Sequence, residues 1–394
     1  MKRYIAAILI ACLCIGLTGC DLWMDGSYHS VVPHREKYSG PSQESLEVTS
    51  QGKLRSVLVD LIANGAQESV VYLIGFQESQ LEKLMAAEVE YVTQRDPVGA
   101  YAVDKIEYEI GTNTGRTAVA LKISYVHNRS EILRIRQVAD MDGAREEVAQ
   151  ALEDCKTGVV LLVEEYKEVD FFQQVQDFVD ENPMYCMELP QVTAAVYPNS
   201  GSRRVVELSF TYQTNREALR TMQIYVEPVF RAAYLNVSGE EDELTKFART
   251  FTFLMERSDY TVETSITPAY SLLRHGVGDC KAFAVVYASM CRQAGLDCRV
   301  VTGTRGGEPW VWNMICVDGV YSHVDLLRSR DAGRLVRNSQ NGMNGYVWDY
   351  SAYPEALPLK PVVSPQTQPT QPEPTETAPT EPIDETEETV QPTQ

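Results

Sequence analysis

The chain is predicted to be a mixed α+β protein, and three observations predict it. Between residues 51 and 228, stretches of helical apolar spacing are followed by short runs of period-two alternation, and the whole pattern occurs twice. An apolar helix opens directly after Gly278-Asp279-Cys280. Strand-like runs then follow it, with a hairpin signal at Asp318-Gly319. Helices and strands grouped in this way point to α+β layers rather than to one parallel sheet. At 394 residues the chain is long enough for more than one domain.

The N-terminus bears on compartment. Lys2 and Arg3 precede an apolar run from Tyr4 to Leu17, and Leu17-Thr18-Gly19-Cys20 supplies small residues before a cysteine. This is the layout of a secretory signal, and the run is short of the roughly 20 residues that a membrane span needs. The segment resembles a bacterial lipobox. That resemblance implies cleavage after residue 19, lipidation of Cys20, and a protein held at the bacterial membrane but facing outside the cytoplasm. Two or three acyl chains anchor stably, since each buried methylene contributes about 0.8 kcal/mol.

Of nine cysteines, Cys155, Cys186, Cys280, Cys291, Cys298 and Cys316 lie beyond the lipobox. An even count outside the cytoplasm permits disulfides, but spacing does not assign them. No pair has CxxC spacing and no second His/Cys cluster accompanies them, so neither a metal site nor a cofactor is expected.

Net charge is −20, and seven acidic residues with no Lys or Arg fall in the segment after Pro361. That segment, built of Pro, Thr, Gln and Glu, holds almost nothing to bury and reads as a disordered tail over 356–394. Residues 20–50 read as a tether for the same reason. Without a basic stripe, nucleic acid is excluded as a partner.

Between tether and cysteine motif lies an internal repeat, placed at 51–140 and 141–228. Leu54 to Ala63 is helical in spacing and leads into Val70 to Ile74; Glu146 to Leu152 leads into Val159 to Val163. Leu121, Ile123, Tyr125 and Asn128 match Leu208, Phe210, Tyr212 and Asn215 at a constant shift of 87, and Leu133 is paired with Leu219 after a slip of one residue. Each copy therefore reads as helix, strand, helix and two strands, a small α+β module. Neither copy holds a grouping that reads as a site. His127 has no counterpart in the second copy and reads as a turn histidine.

From about 240 to 355, helical spacing covers Leu244 to Met255 and a short turn begins at Pro268. In the next helix Phe283, Ala284, Tyr287, Ala288 and Cys291 fall on one face with Cys280, and Gly295 ends it. Cys298 to Val301 reads as a strand, Gly303 to Pro309 as a loop, and Val311 to Val317 as a strand turning at Asp318-Gly319 into Val320 to Asp325.

In order and spacing, Cys280, the stretch Trp310-Val311-Trp312-Asn313, and His323-Val324-Asp325 resemble the core of the bacterial transglutaminase-like superfamily. The resemblance covers most of 240–355 and implies a papain-like fold. It implies a cysteine nucleophile at a helix N-terminus, a histidine two residues before a tryptophan as base, and an aspartate that orients the imidazole. Here Trp310 stands at the histidine's position. A helix N-terminus favours a thiolate and cradles an oxyanion. Without a base, however, only a few per cent of a free thiol ionises at neutral pH, and nothing protonates a leaving amine. An indole donates only.

His323 lies about 6.6 Å along the strand from Asp325, on the same face, and is the candidate substitute; His275, His29 and His34 are placed worse. Candidate catalytic residues are thus Cys280, Asp325 and His323. Asp279, Lys281, Trp310, Trp312 and Asn313 are expected to line the cleft, Trp310 as plug or as platform. Two functions stay open. One is a degenerate, membrane-anchored binding or scaffolding protein for surface proteins or wall peptides. The other is an active cysteine peptidase or acyltransferase that uses Cys280, Asp325 and a non-standard histidine. Oligomeric state is open.

Overall fold

The computed structural model describes residues 46–113, 115–239 and 242–358. The signal segment 1–19, Cys20, residues 21–45 with His29 and His34, and the tail from 359 onward lie outside the described residues. The chain divides into two compact units, 1–173 with 191–211, and 174–190 with 212–394.

The first unit contains two four-stranded sheets of identical design. In one, β1 (Glu47–Val48) leads through the helix Gln51–Ala63 into β2 (Glu68–Leu73), and the helices Glu78–Gln94 and Pro97–Ala102 precede β3 (Val103–Asn113) and β4 (Arg116–Tyr125). In the other, β5 (Arg136–Asp140) leads through Met141–Glu153 into β6 (Gly158–Glu165), and Phe171–Glu181 precedes β7 (Gln191–Tyr197) and β8 (Arg204–Thr211). The orders are β1-β2-β4-β3 and β5-β6-β8-β7, with only the first pair parallel in each. Register repeats as well: Val48 faces Leu73 in one sheet and Val138 faces Val163 in the other.

Each module therefore opens on a strand that periodicity does not reveal. β1 is two residues long and lies within the expected tether, and β5 falls in the range given to the first repeat although it pairs with β6. β5 has no residue fully buried, so it carries none of the apolar alternation that marks a half-buried strand. The expected slip is also absent. Ile132 is 2% exposed and sits 87 before the buried Leu219, whereas Leu133 is 44% exposed. Asn128 and Asn215 recur because both are helix N-caps, accepting from the backbone N–H groups of Glu131 and Ala218. The helix capped by Asn215 runs Arg216–Val237 with Pro228 inside it, so the expected boundary at 228 cuts an unbroken element. His127 stacks on Tyr101 at 4.0 Å between ring centroids, with Glu131 3.6 Å away.

In the second unit, Glu243–Met255 precedes β9 (Asp259–Tyr260), and a turn of helix at Pro268–Tyr270 widens into a π turn over Ser271–His275. Gly276, at φ +71°, ends it. β10 (Val277–Gly278) pairs in parallel with β9 and delivers the chain to the helix Cys280–Gln293. On the predicted face Phe283, Ala284, Tyr287, Ala288 and Cys291 are buried and Cys280 is partly exposed, and Val285, Val286 and Met290 on the other sides are buried too. β11 (Cys298–Arg305), β12 (Glu308–Val317), β13 (Val320–Val324) and β14 (Tyr346–Trp348) form an antiparallel sheet ordered β13-β12-β11-β14. Asp318 and Gly319, both at positive φ, make the expected hairpin turn.

The expected loop at Gly303–Pro309 is instead a tight hairpin. Arg305 pairs with Glu308 across Gly306-Gly307, both at positive φ, so Gly303 faces Trp310 in unbroken register. A Cβ on Gly303 would meet the Val347 carbonyl at 2.2 Å, so glycine lets β14 close on β11. After β14 the chain stays packed to Ala356, which is 2% exposed and accepts from the Gln340 N–H, so order extends past the start given to the tail. Among the described residues, no helix is long and apolar enough to cross a membrane.

Candidate active site

Cys280 is the first residue of its helix. Asp279 caps that helix, its carboxylate accepting from the Ala282 N–H at 2.8 Å and from the Thr264 hydroxyl at 2.7 Å. The parallel β9–β10 pair sets Tyr260 opposite Gly278, two residues before the cysteine. Cys280 is half-buried.

Asp325 is 2% exposed and fully engaged. One oxygen accepts from the Leu327 and Arg328 N–H groups at 2.9 and 3.2 Å, which caps the helix Leu326–Asp331. The other accepts from the Tyr346 phenol at 2.5 Å, the Trp310 indole N–H at 2.9 Å and Arg305 at 3.3 Å. The Arg305 guanidinium lies 5.0 Å from the Trp310 ring centroid, within cation–π range, and Tyr260 tilts against the same ring at 6.0 Å.

Trp310 therefore keeps the hydrogen bond that an imidazole there would give the aspartate. An imidazole has a second nitrogen to accept the thiol proton, and the indole has none. The thiol responds to burial first. Desolvation pushes Cys280 up, and the carboxylates of Asp279 and Asp325 add to this against the backbone N–H groups of Val311 and Lys281. The thiolate-favouring expectation for a helix N-terminus is thus reversed. With no imidazolium beside it, partial charges from the backbone do not offset lost water and two carboxylates.

His323 is part of the core, 1% exposed. Its Nδ1 accepts from the Trp312 indole N–H at 3.1 Å, its Nε2 is buried without a partner, and Trp348 meets its ring edge-on. Burial lowers its pKa to about 4. It makes no hydrogen bond to Cys280 or Asp325, so sharing a face with the aspartate does not bring it to the thiol.

Two expected cleft residues are core residues instead. Trp312 is 1% exposed among Val301, Met314, Tyr346 and Trp348. Asn313, fully buried on the other face of β12, donates to the Ala284 carbonyl at 2.8 Å and ties sheet to helix. Strand alternation after Trp310 forces this, since both faces of β12 are covered. The Lys281 side chain pairs with Asp180 at 2.8 Å. Asp279 and Trp310 remain at the site. Arg305, Tyr260 and Tyr346 were not foreseen. The Gly306-Gly307 hairpin signal was available for Arg305, whereas nothing local marks the two tyrosines.

A thiol on a helix N-terminus, facing an aspartate carried beyond an antiparallel sheet, defines the papain-like class of cysteine cleft. Residues 231–326 match the family model of the Transglutaminase-like superfamily. Among solved structures, the chain is similar to one described as a TGase, at 11% identity, TM-score 0.25, covering 43% of this chain and 50% of that one. It is similar to a candidate cysteine protease from Cytophaga hutchinsonii at 14% identity and TM-score 0.24, covering 38% of this chain and 65% of that one. It is also similar to a candidate protease from Parabacteroides distasonis at 10% identity and TM-score 0.21, covering 65% and 39%. The chain thus spans less than two thirds of the length of each. No curated protein matches it.

Proposed function

We propose that this chain is an extracytoplasmic bacterial protein, anchored through lipid on Cys20, whose transglutaminase-like domain has lost catalysis and binds surface proteins or wall peptides at the cleft beside Cys280. The observation that carries this reading is the hydrogen bond from the Trp310 indole to Asp325. It occupies the aspartate as an imidazole would and presents carbon where a base is needed.

Thiol acylation requires the cysteine proton to leave and the departing amine to gain one. Near Cys280 the indole has no lone pair for the first step and no second proton for the second. His323 is buried in the tryptophan cluster and supports no substitute route. What remains is a recognition surface. The Trp310 face, the Tyr260 ring and the half-exposed Arg305 guanidinium combine apolar area with donors suited to peptide carbonyls and carboxylates.

The test is iodoacetamide labelling of Cys280 in the full-length chain across pH. The rate is expected to keep climbing into the alkaline range. A plateau well below pH 7 would mean an activated thiolate and would overturn the degenerate reading.

A further inference from the structure

A second feature lies beside the cysteine helix. A cavity of about 300 Å³ opens there, with all its walls in the second unit. Met187 comes from the stretch after the helix Phe171–Glu181, Ile266 from the segment before Pro268, and Val285 from the cysteine helix. Cys280 is not among the lining residues, so this site is separate from the cleft at Trp310. Its volume is at the small end for ligand pockets, which begin at about 300 Å³.

The rim is charged. Lys281 and Asp180 form an ion pair of 2.8 Å, with side chains 33% and 27% exposed. Glu188, 4% exposed, accepts from the Gln213 and Thr214 N–H groups at 2.5 and 3.0 Å. The lining thus holds two carboxylates against one ammonium. Burial holds the Asp180 carboxyl above the usual range, with Asp177 adding to it and Lys281 opposing. Ile266 is half exposed at this rim, apolar surface turned toward solvent.

We propose that this cavity binds a ligand with an aliphatic chain ending in an amine, the chain lying among Met187, Ile266 and Val285 and the ammonium on Asp180. Charge complementarity selects the amine. A second cation beside Asp180 supplies donors to a largely desolvated carboxylate whose one cationic partner in the lining is Lys281, Gln176 adding a neutral hydrogen bond. A ligand carboxylate would have to compete with Asp180 for Lys281, strip that acid of its cationic partner, and add negative charge next to Asp177 and Glu188.

The experiment is isothermal titration calorimetry of the full-length chain with n-alkylamines from butylamine to octylamine, against the matching n-alkanols and n-alkanoates. For the amines, Kd is expected to fall about fourfold per added methylene until the cavity is full. Matching alkanoates are expected to bind at least about tenfold more weakly. Asp180→Asn should erase the advantage of amine over alcohol while leaving alkanol affinity in place, and Val285→Phe, which fills the cavity, should weaken amines and alkanols alike. Alkanoates binding as tightly as amines would overturn the proposal. So would an amine preference that survives Asp180→Asn, an affinity indifferent to chain length, or no saturable amine binding.

Discussion

The indole nitrogen of Trp310 lies 2.9 Å from a carboxylate oxygen of Asp325, and that contact joins strand β12 to the residue that follows β13. The two residues are fifteen positions apart and meet because β12 and β13 pair in register, with Asn313 facing Val324. The aspartate is held by its other donors as well, so the carboxylate stays where an imidazole would need it.

Trp310→His should therefore restore a base to a prepared position. Iodoacetamide labelling of Cys280 at pH 7 is expected to accelerate on the order of 10²-fold. Trp310→Phe, which removes the indole donor and part of the ring, should leave labelling unchanged and cost about 1 kcal/mol or more in urea unfolding. An unaccelerated Trp310→His would show decay beyond that one position.

Asp325 is expected to matter more for stability than for chemistry. Asp325→Ala removes the cap of the helix Leu326–Asp331 and strands the buried Tyr346 phenol. A loss of about 3 kcal/mol or more should appear in equilibrium unfolding. A change under 1 kcal/mol would mean that the site is relaxed in solution.

His323 makes stability pH-dependent. Its pKa falls from 6.5 to about 4 on burial, so the folded form keeps it neutral while the unfolded chain takes up a proton. The neutral ring's contribution is present in full above pH 6.5 and is lost as pH falls from there toward 4. The loss amounts to about 3 kcal/mol, and His323→Gln should flatten it. Urea midpoints measured across this window read it directly, and a profile identical in both chains would refute the assignment.

In the first module, Ile132→Ala should destabilise by about 2 to 4 kcal/mol. Leu133→Ala, at a residue 44% exposed, should change stability by less than about 0.5 kcal/mol. Paired unfolding curves settle whether the repeat continues through Ile132 without a slip.

Several features of the fold and site were legible in the residues because they depend on near neighbours in the chain. The cysteine helix declares its buried face through 3.6-residue spacing, and Asn128 and Asn215 recur because capping is a local act. The hairpin at Asp318-Gly319 needs only two residues that tolerate positive φ. The strands β1 and β5 were missed for the converse reason, one being two residues long and the other without a buried face.

By itself the sequence carries Trp310 where the family resemblance implies a histidine, Cys280 and Asp325 where it implies a nucleophile and an acid, and five histidines in all. Tertiary structure alone decided what those residues experience. It placed His323 and Trp312 together in a closed aromatic core, sent Asn313 to the cysteine helix and Lys281 to Asp180, and raised the Cys280 pKa by desolvation. Identity at a position is written in the chain, whereas burial, hydrogen-bond partners and local charge come from strand register and from segments distant in sequence.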